Sequence, residues 1–255
     1  MNKIITISNH KGGVGKTTSA LNIAAALCRQ DKKVLLVDLD PQANLSQSLG
    51  ITEPEHAIYD AIKEGTAKPM HLPSGLSIIP STIDLSGAEI EMSNEAGREY
   101  ILSEILEPLR GSYDYIIIDA PPSLGLLTLN ALTASDEVLI PVQAEYLALQ
   151  GLSKLQEVIG KIQKRLNKNL RIGGVFVTQY DSRKVLNREV LATIEKNFKG
   201  KVFDTKIRDN VALAEAPTQG VDIFQYQPKS YGAEDYTALV AEIAGSGGKA
   251  TRKKK

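Results

Sequence analysis

A short apolar run at residues 4–8 gives way to His10-Lys11-Gly12-Gly13-Val14-Gly15-Lys16-Thr17-Thr18, and a helical pattern starts at Lys16. Few sequence features restrict a fold as tightly as a strand, a glycine-rich turn and a helix opening on Lys-Thr. Glycines let backbone N–H groups curl inward without Cβ clashes, and the helix that follows points its N-terminus at whatever the turn encloses. That concavity suits phosphate oxygens. Lys16 would neutralise the terminal phosphates and the Thr17 hydroxyl could ligate Mg²⁺. The strict pattern G-x-x-x-x-G-K-[S/T] needs glycine at position 10, where this chain has histidine; the rest is in register.

Short β-branched or apolar runs recur at residues 4–8, 33–38, 76–80, 115–119, 137–142, 172–178 and 201–206. Helical patterns separate them at 16–29, 84–92, 98–110, 123–133, 146–167 and 186–198. Several runs are apolar throughout, as strands buried on both faces must be. The alternation predicts an α/β protein: one doubly wound, mostly parallel β-sheet flanked by helices. No long repeat or internal linker divides the chain. Residues 1–244 read as one domain, and 245–255 as a flexible basic tail rich in glycine and lysine.

Composition narrows the function classes. Cys28 is the single cysteine of 255 residues, which excludes a disulfide framework or a cysteine-built metal cluster within one chain. No run approaches the ~20 apolar residues of a membrane span, and residues 245–255 contain no Leu, Ile, Val or Phe with which to lie on a membrane. No secretory leader precedes the first strand, so the expected location is cytoplasmic. Thirty basic and thirty acidic side chains cancel overall but not locally. Residues 1–149 carry a net −9, whereas residues 150–210 carry 14 basic and 6 acidic side chains, a net +8. A polyanion partner would therefore have to use a local patch, although a solvated helical face accounts for such a run equally well.

Lys11, a second lysine at the start of the loop, turns the motif into K-G-G-V-G-K-T-T. With Val37-Asp38-Leu39-Asp40-Pro41-Gln42, Ile116-Ile117-Ile118-Asp119-Ala120-Pro121-Pro122, Pro80-Ser81-Thr82, Leu85-Ser86-Gly87-Ala88-Glu89 and Leu213-Ala214-Glu215-Ala216-Pro217, the chain resembles the ParA/MinD family of deviant Walker A ATPases. Within that family it is most similar to the ParA/Soj partition branch, over roughly residues 2–243. The resemblance implies a P-loop NTPase fold with ATP and Mg²⁺ as cofactors. Nucleotide would be bound by Lys11, Gly12, Gly13, Val14, Gly15, Lys16, Thr17, Thr18 and Pro217, the proline packing on adenine. It also implies that Lys11 reaches the phosphates of the partner in an ATP-state homodimer, and that Asp40 positions the attacking water. Thr17, Asp38 and Asp119 would hold Mg²⁺, the aspartates through water. A strand-ending aspartate also commonly just caps a turn.

The partners implied are non-specific double-stranded DNA, met by Arg188, Lys199, Arg208 and Lys229, and a ParB-like adaptor, with the protein on the nucleoid. Two alternatives stay open: an ATPase positioning a protein cargo on the nucleoid, and a nucleotide-sensing module with negligible turnover. The chain departs from the branch at Arg208-Asp209-Asn210, where relatives carry Pro-Arg-Asn, and at Tyr231, where they often carry a basic residue.

Overall fold

A computed structural model describes residues 2–145, 148–198 and 200–246. The strands are β1 (Lys3–Ile7), β2 (Val34–Asp38), β3 (Met70–His71), β4 (Ser77–Ile79), β5 (Tyr115–Asp119), β6 (Glu137–Gln143), β7 (Arg171–Tyr180) and β8 (Val202–Arg208). Among the described residues they form one sheet in the order β3-β4-β2-β5-β1-β6-β7-β8. Every pairing is parallel except the short β3–β4 edge. The helices are α1 (Lys16–Cys28), α2 (Asn44–Ser48), α3 (Ile58–Glu64), α4 (Leu85–Met92), α5 (Ile101–Leu106), α6 (Leu126–Ala134), α7 (Ala148–Arg165), α8 (Val185–Asn197), α9 (Ala212–Glu215), α10 (Ile223–Tyr226) and α11 (Tyr231–Ser246).

The period-2 geometry of a strand explains the layering. On β1, β2 and β5, Ile5, Ile7, Leu36 and Ile117 pack toward α1 and α11. Their neighbours Ile4, Leu35, Val37, Ile116 and Ile118 pack on the opposite side, toward α3, α4, α5 and α6. Strands apolar on both faces demand helices on both faces. A third cluster joins α7 and α8 to β6 and β7 through Leu155, Ile159, Val175 and Ile194.

All seven expected strands are present, and β5 has the expected bounds. The helix expected over 98–110 stops at Leu106 and continues as a 3₁₀ turn, Glu107–Ser112, because Pro108 cannot donate an α-helical hydrogen bond. The helix expected from 123 starts at Leu126, after the Pro121-Pro122 pair. The short elements α2, α3, β3, α9 and α10, and the long α11, lie outside the expected elements. Helix α11 runs two residues into the stretch expected as tail; residues 247–255 lie outside the described residues. Ala233, Tyr236, Leu239, Val240 and Ile243 of α11 are buried at helical spacing in the α1 layer.

Tyr236 couples these helices. It is 1% exposed, and its hydroxyl meets Ser19 Oγ at 2.9 Å. Tyr236→Ala should lower unfolding free energy by about 3–5 kcal/mol, the usual cost of deleting a large buried ring. Tyr236→Phe should cost about 1 kcal/mol. Urea denaturation of both variants checks the ranking; equal losses would show that the hydroxyl, not the ring, sets the α1–α11 contact.

Candidate nucleotide site

Three neighbouring strands, β2, β5 and β1, end at the same edge of the sheet, and each is followed by a loop that carries polar side chains. Asp38 pairs in register with Asp119, and Asp119 with Ile7, so backbone pairing alone brings the two aspartates to the foot of the glycine loop. Ligands of open parallel sheets bind at such carboxyl ends.

The loop after β1 is pinned from outside and open within. Asn9 Nδ2 donates to the Pro141 carbonyl at 2.7 Å, Thr178 Oγ1 to Val14 O at 2.9 Å and Gln179 Nε2 to Gly13 O at 3.0 Å. Gly13 and Gly15 adopt φ of 74° and 79°, a region L side chains rarely enter. A Cβ built on Gly12 or Gly13 would meet no atom within 4 Å, so there is room beside the loop. Gly15 offers no side-chain cap, which leaves the first-turn N–H groups of α1 facing that room.

Lys16 is 7% exposed and its Nζ donates to Lys11 O at 3.3 Å. Burial lowers its pKa, while Asp119 and Asp40 pull it back up. Asp119 is 1% exposed, and neither carboxylate oxygen makes a well-formed hydrogen bond among the described residues. Burial first, then the Asp38 charge, raises it to about 8; the Thr17 hydroxyl and the Lys16 ammonium oppose the rise. Two buried carboxyl oxygens without a well-formed hydrogen bond, beside a threonine hydroxyl, fit a hydrated divalent cation, which prefers oxygen donors. Thr17 and Asp119 would hold it, and it would supply the positive charge that phosphate oxygens need.

Asp38 has a different place. Its Oδ2 accepts from Ser46 N at 2.9 Å and Ser46 Oγ at 2.7 Å, and its Oδ1 accepts from Asp40 N at 3.2 Å. Burial still raises its pKa to about 6. Its oxygens therefore shape the loop after β2 more directly than they face a cation. Asp40, 7% exposed, accepts from Gln42 N at 3.0 Å through Oδ1. Ser81 donates its hydroxyl to Asp40 O at 2.9 Å and its N–H to Ser46 Oγ at 2.9 Å. Ser46, buried eight residues after Asp38, is the functional residue that sequence reading missed; a lone serine in a short helix gives no signal of its own.

Lys11 turns away from the cradle. Its ammonium pairs with Glu145 and lies 3.4 Å from Gln143 Oε1. A cavity of about 230 Å³ opens beside Gly15 and Thr18, walled by Thr178, Asp209, Asn210, Leu213 and Tyr236. Pro217, expected against a base, stands in the following 3₁₀ turn and does not wall that cavity.

The basic residues expected on DNA have different surroundings where they are described. Arg188 is exposed on α8 and donates to Ser182 O at 2.7 Å. Lys229 is exposed, and Lys199 lies outside the described residues. Arg208 is engaged within the chain. Its guanidinium bonds Asp235 at 2.5–3.0 Å and Glu234 at 2.6 Å, and stacks 4.1 Å from the Tyr231 ring. Its charge is already matched, and those carboxylates hold its pKa above the usual arginine value.

The fold and this site define a P-loop nucleoside triphosphatase. The profile of a family described as an AAA domain matches residues 2–172. The chain is 48% identical to the sporulation initiation inhibitor protein Soj of Bacillus subtilis, over 97% of this chain and all of that protein. It is 45% identical to the chromosome-partitioning ATPase Soj of Treponema pallidum, over 97% of this chain and 99% of that one. Its fold superposes with a TM-score of 0.85 on cobyrinic acid a,c-diamide synthase from Mycobacterium smegmatis with bound ATP analogue and magnesium, 34% identical over 96% of this chain and 95% of that one. The chain belongs to the ParA/Soj family of deviant Walker A ATPases.

The charge on Asp119 makes the ligand-free protein pH-sensitive. Because the folded-state pKa lies near 8 against an ordinary 3.8, the folded chain keeps a proton that the unfolded chain loses between those values. Stability should therefore fall as pH rises from about 4 to about 8. Asp119→Asn should melt at least 2–4 °C higher than the parent at pH 8 in EDTA, roughly 1 kcal/mol, with no gain near pH 4. The same variant should lose the Mg²⁺-dependent part of its nucleotide affinity. Thermal melts across pH check the first expectation and titration with and without Mg²⁺ the second.

Proposed function

We propose that the chain is a partition ATPase whose Mg-ATP state dimerises and binds DNA without sequence preference, and whose hydrolysis step, stimulated by a ParB-like adaptor, releases it. The observation that carries this reading is the buried Lys16 beside an unpartnered Asp119 at the mouth of an open glycine cradle. Lys16 and the loop N–H groups neutralise and orient the terminal phosphates, with Thr17 and Asp119 holding Mg²⁺. Asp40 keeps one carboxylate oxygen clear of the bond to Gln42, and that oxygen orients the water that attacks the γ-phosphorus. Lys11 leaves Glu145 when a second subunit presents its nucleotide, and its charge then stabilises the transferring phosphoryl group in trans.

Three variants separate these roles. Lys16→Ala should lose ATP binding by calorimetry. Lys11→Ala should bind ATP yet stay monomeric by light scattering. Asp40→Ala should bind ATP and accumulate as a dimer, with turnover reduced at least about 100-fold. A Lys11→Ala protein that dimerises normally would remove the cross-subunit role.

On the DNA side, a dimer sets two modest basic patches on one duplex, so avidity supplies the nucleotide switch. Arg188, Lys199 and Lys229 are the contacts proposed, without Arg208. DNA affinity should require ATP and fall with a log–log salt slope of about −0.9 per phosphate neutralised. Lys199→Glu should weaken it about tenfold or more, whereas Arg208→Gln should leave it within about twofold. Fluorescence anisotropy at several salt concentrations decides. Equal affinity with ADP and ATP would mean the basic run is only a solvated face.

A further inference from the structure

A groove of about 590 Å³ lies far along the chain from the cradle, between α3, α4 and α5. Its floor is apolar: Met92 and Ile105 are buried, and Ile62 and Ile101 are half-buried beside them. Its rim is acidic, with Glu91, Glu95 and Glu104 exposed. Glu91 accepts from the Tyr59 hydroxyl at 2.9 Å, and no ion pair joins Glu95 or Glu104 to another described residue. Lys63, the cation of the lining, sits 5.0 Å over the Tyr59 ring. The surrounding half of the chain is net −9, so a nucleic acid is repelled here and a basic segment attracted. Residues 249–255 of a second copy carry five positive charges but no large apolar side chain, so they would leave the floor uncovered. The occupant that matches both features is a basic segment of another protein with apolar side chains at helical spacing.

The groove is connected to the site through α4. Three residues before Met92, Glu89 leaves the same helix and accepts the Leu127 N–H at 3.1 Å through Oε1. Leu127 lies in the first turn of α6, where Gly125 supplies no side-chain cap, so Glu89 satisfies an end group from another helix. A Cβ on Gly125 would fall 2.4 Å from Glu89 Oε1, so glycine is what permits this approach. Residues 120–125 lead from Asp119 to this contact.

We propose that the α3–α4–α5 groove docks a basic amphipathic segment of the protein that stimulates turnover, and that Glu89 is the positioning residue that passes occupancy to the loop after Asp119. This rests on the adaptor-stimulated ATPase reading above.

The probe is a synthetic peptide with leucine and lysine at helical spacing, titrated onto the ATP-loaded full chain. It should bind and raise ATP turnover. Glu91→Lys combined with Glu95→Lys should weaken binding about tenfold or more while ATP affinity stays unchanged; Glu53→Lys combined with Glu55→Lys, an equal change in charge elsewhere, should not. Glu89→Ala should keep peptide affinity but lose the stimulation, and Glu89→Gln, which retains an acceptor oxygen, should restore part of it. Equal affinity for the groove variant, or for a lysine–serine peptide of the same charge, would overturn the docking surface. Full stimulation of Glu89→Ala would overturn the relay. Peptide binding to a chain that never turns over ATP would instead sink the ATPase reading and leave the groove standing.

Discussion

Three carboxylates, from Asp38, Asp40 and Asp119, and one ammonium, Lys16, are buried beside the glycine loop, and the charges of Asp119 and Asp40 reach Lys16. Removing charges from water is costly, and the structure offsets it unevenly. Asp38 is held by Ser46 and by the Asp40 N–H. Asp119 has no well-formed hydrogen bond, and burial together with the Asp38 charge raises its pKa to about 8. A nucleotide site accounts for such an imbalance: a bound cation would supply the missing positive charge, and the phosphates would supply a counter-charge to Lys16 and the α1 N-terminus. The rest of the fold holds these four groups where they cannot relax away from one another.

The sheet does this by register. Parallel pairing of β2 with β5 and of β5 with β1 aligns their carboxyl ends, and fully apolar strands with helices on both faces resist slipping by even one residue. Side chains then brace the loops from beyond the central strands. Gln143 Nε2 donates to Gln179 Oε1 at 2.7 Å, Gln179 holds Gly13, and Gln143 also approaches Lys11. Gln179 adopts φ 50°, an uncommon conformation for a non-glycine residue, at the point where it reaches the loop. Ala43, φ 51°, does the same in the turn after Asp40. Asp31, φ 58°, takes the same conformation in the turn after α1, so it is not confined to the site.

Much of this was legible in the chain. The glycine loop, the following helix and the strand-ending aspartates are local patterns whose chemistry follows from residue type and spacing. The central strands were legible because two-sided burial leaves an unbroken apolar run. Helix α11 was not, because small residues such as Gly232 and Ala233 weaken its apolar pattern and only packing in the α1 layer reveals which side is buried. The helix expected over 98–110 was cut short by Pro108, and Arg208 looked available for phosphate because Glu234 and Asp235 lie 26 and 27 residues away.

By itself, then, the sequence determined the family, the sheet class and the residue types at the phosphate cradle, since each depends on neighbours a few positions apart. Tertiary structure decided which of those charges are free. It paired Lys11 with Glu145 across 134 residues, joined Asp40 to Ser81 across 41, and seated Glu89 on the α6 end across 38. It alone left Asp119 unsatisfied. Charge balance in a low-dielectric site is a property of everything that surrounds a group, and a one-dimensional pattern records only what precedes and follows it.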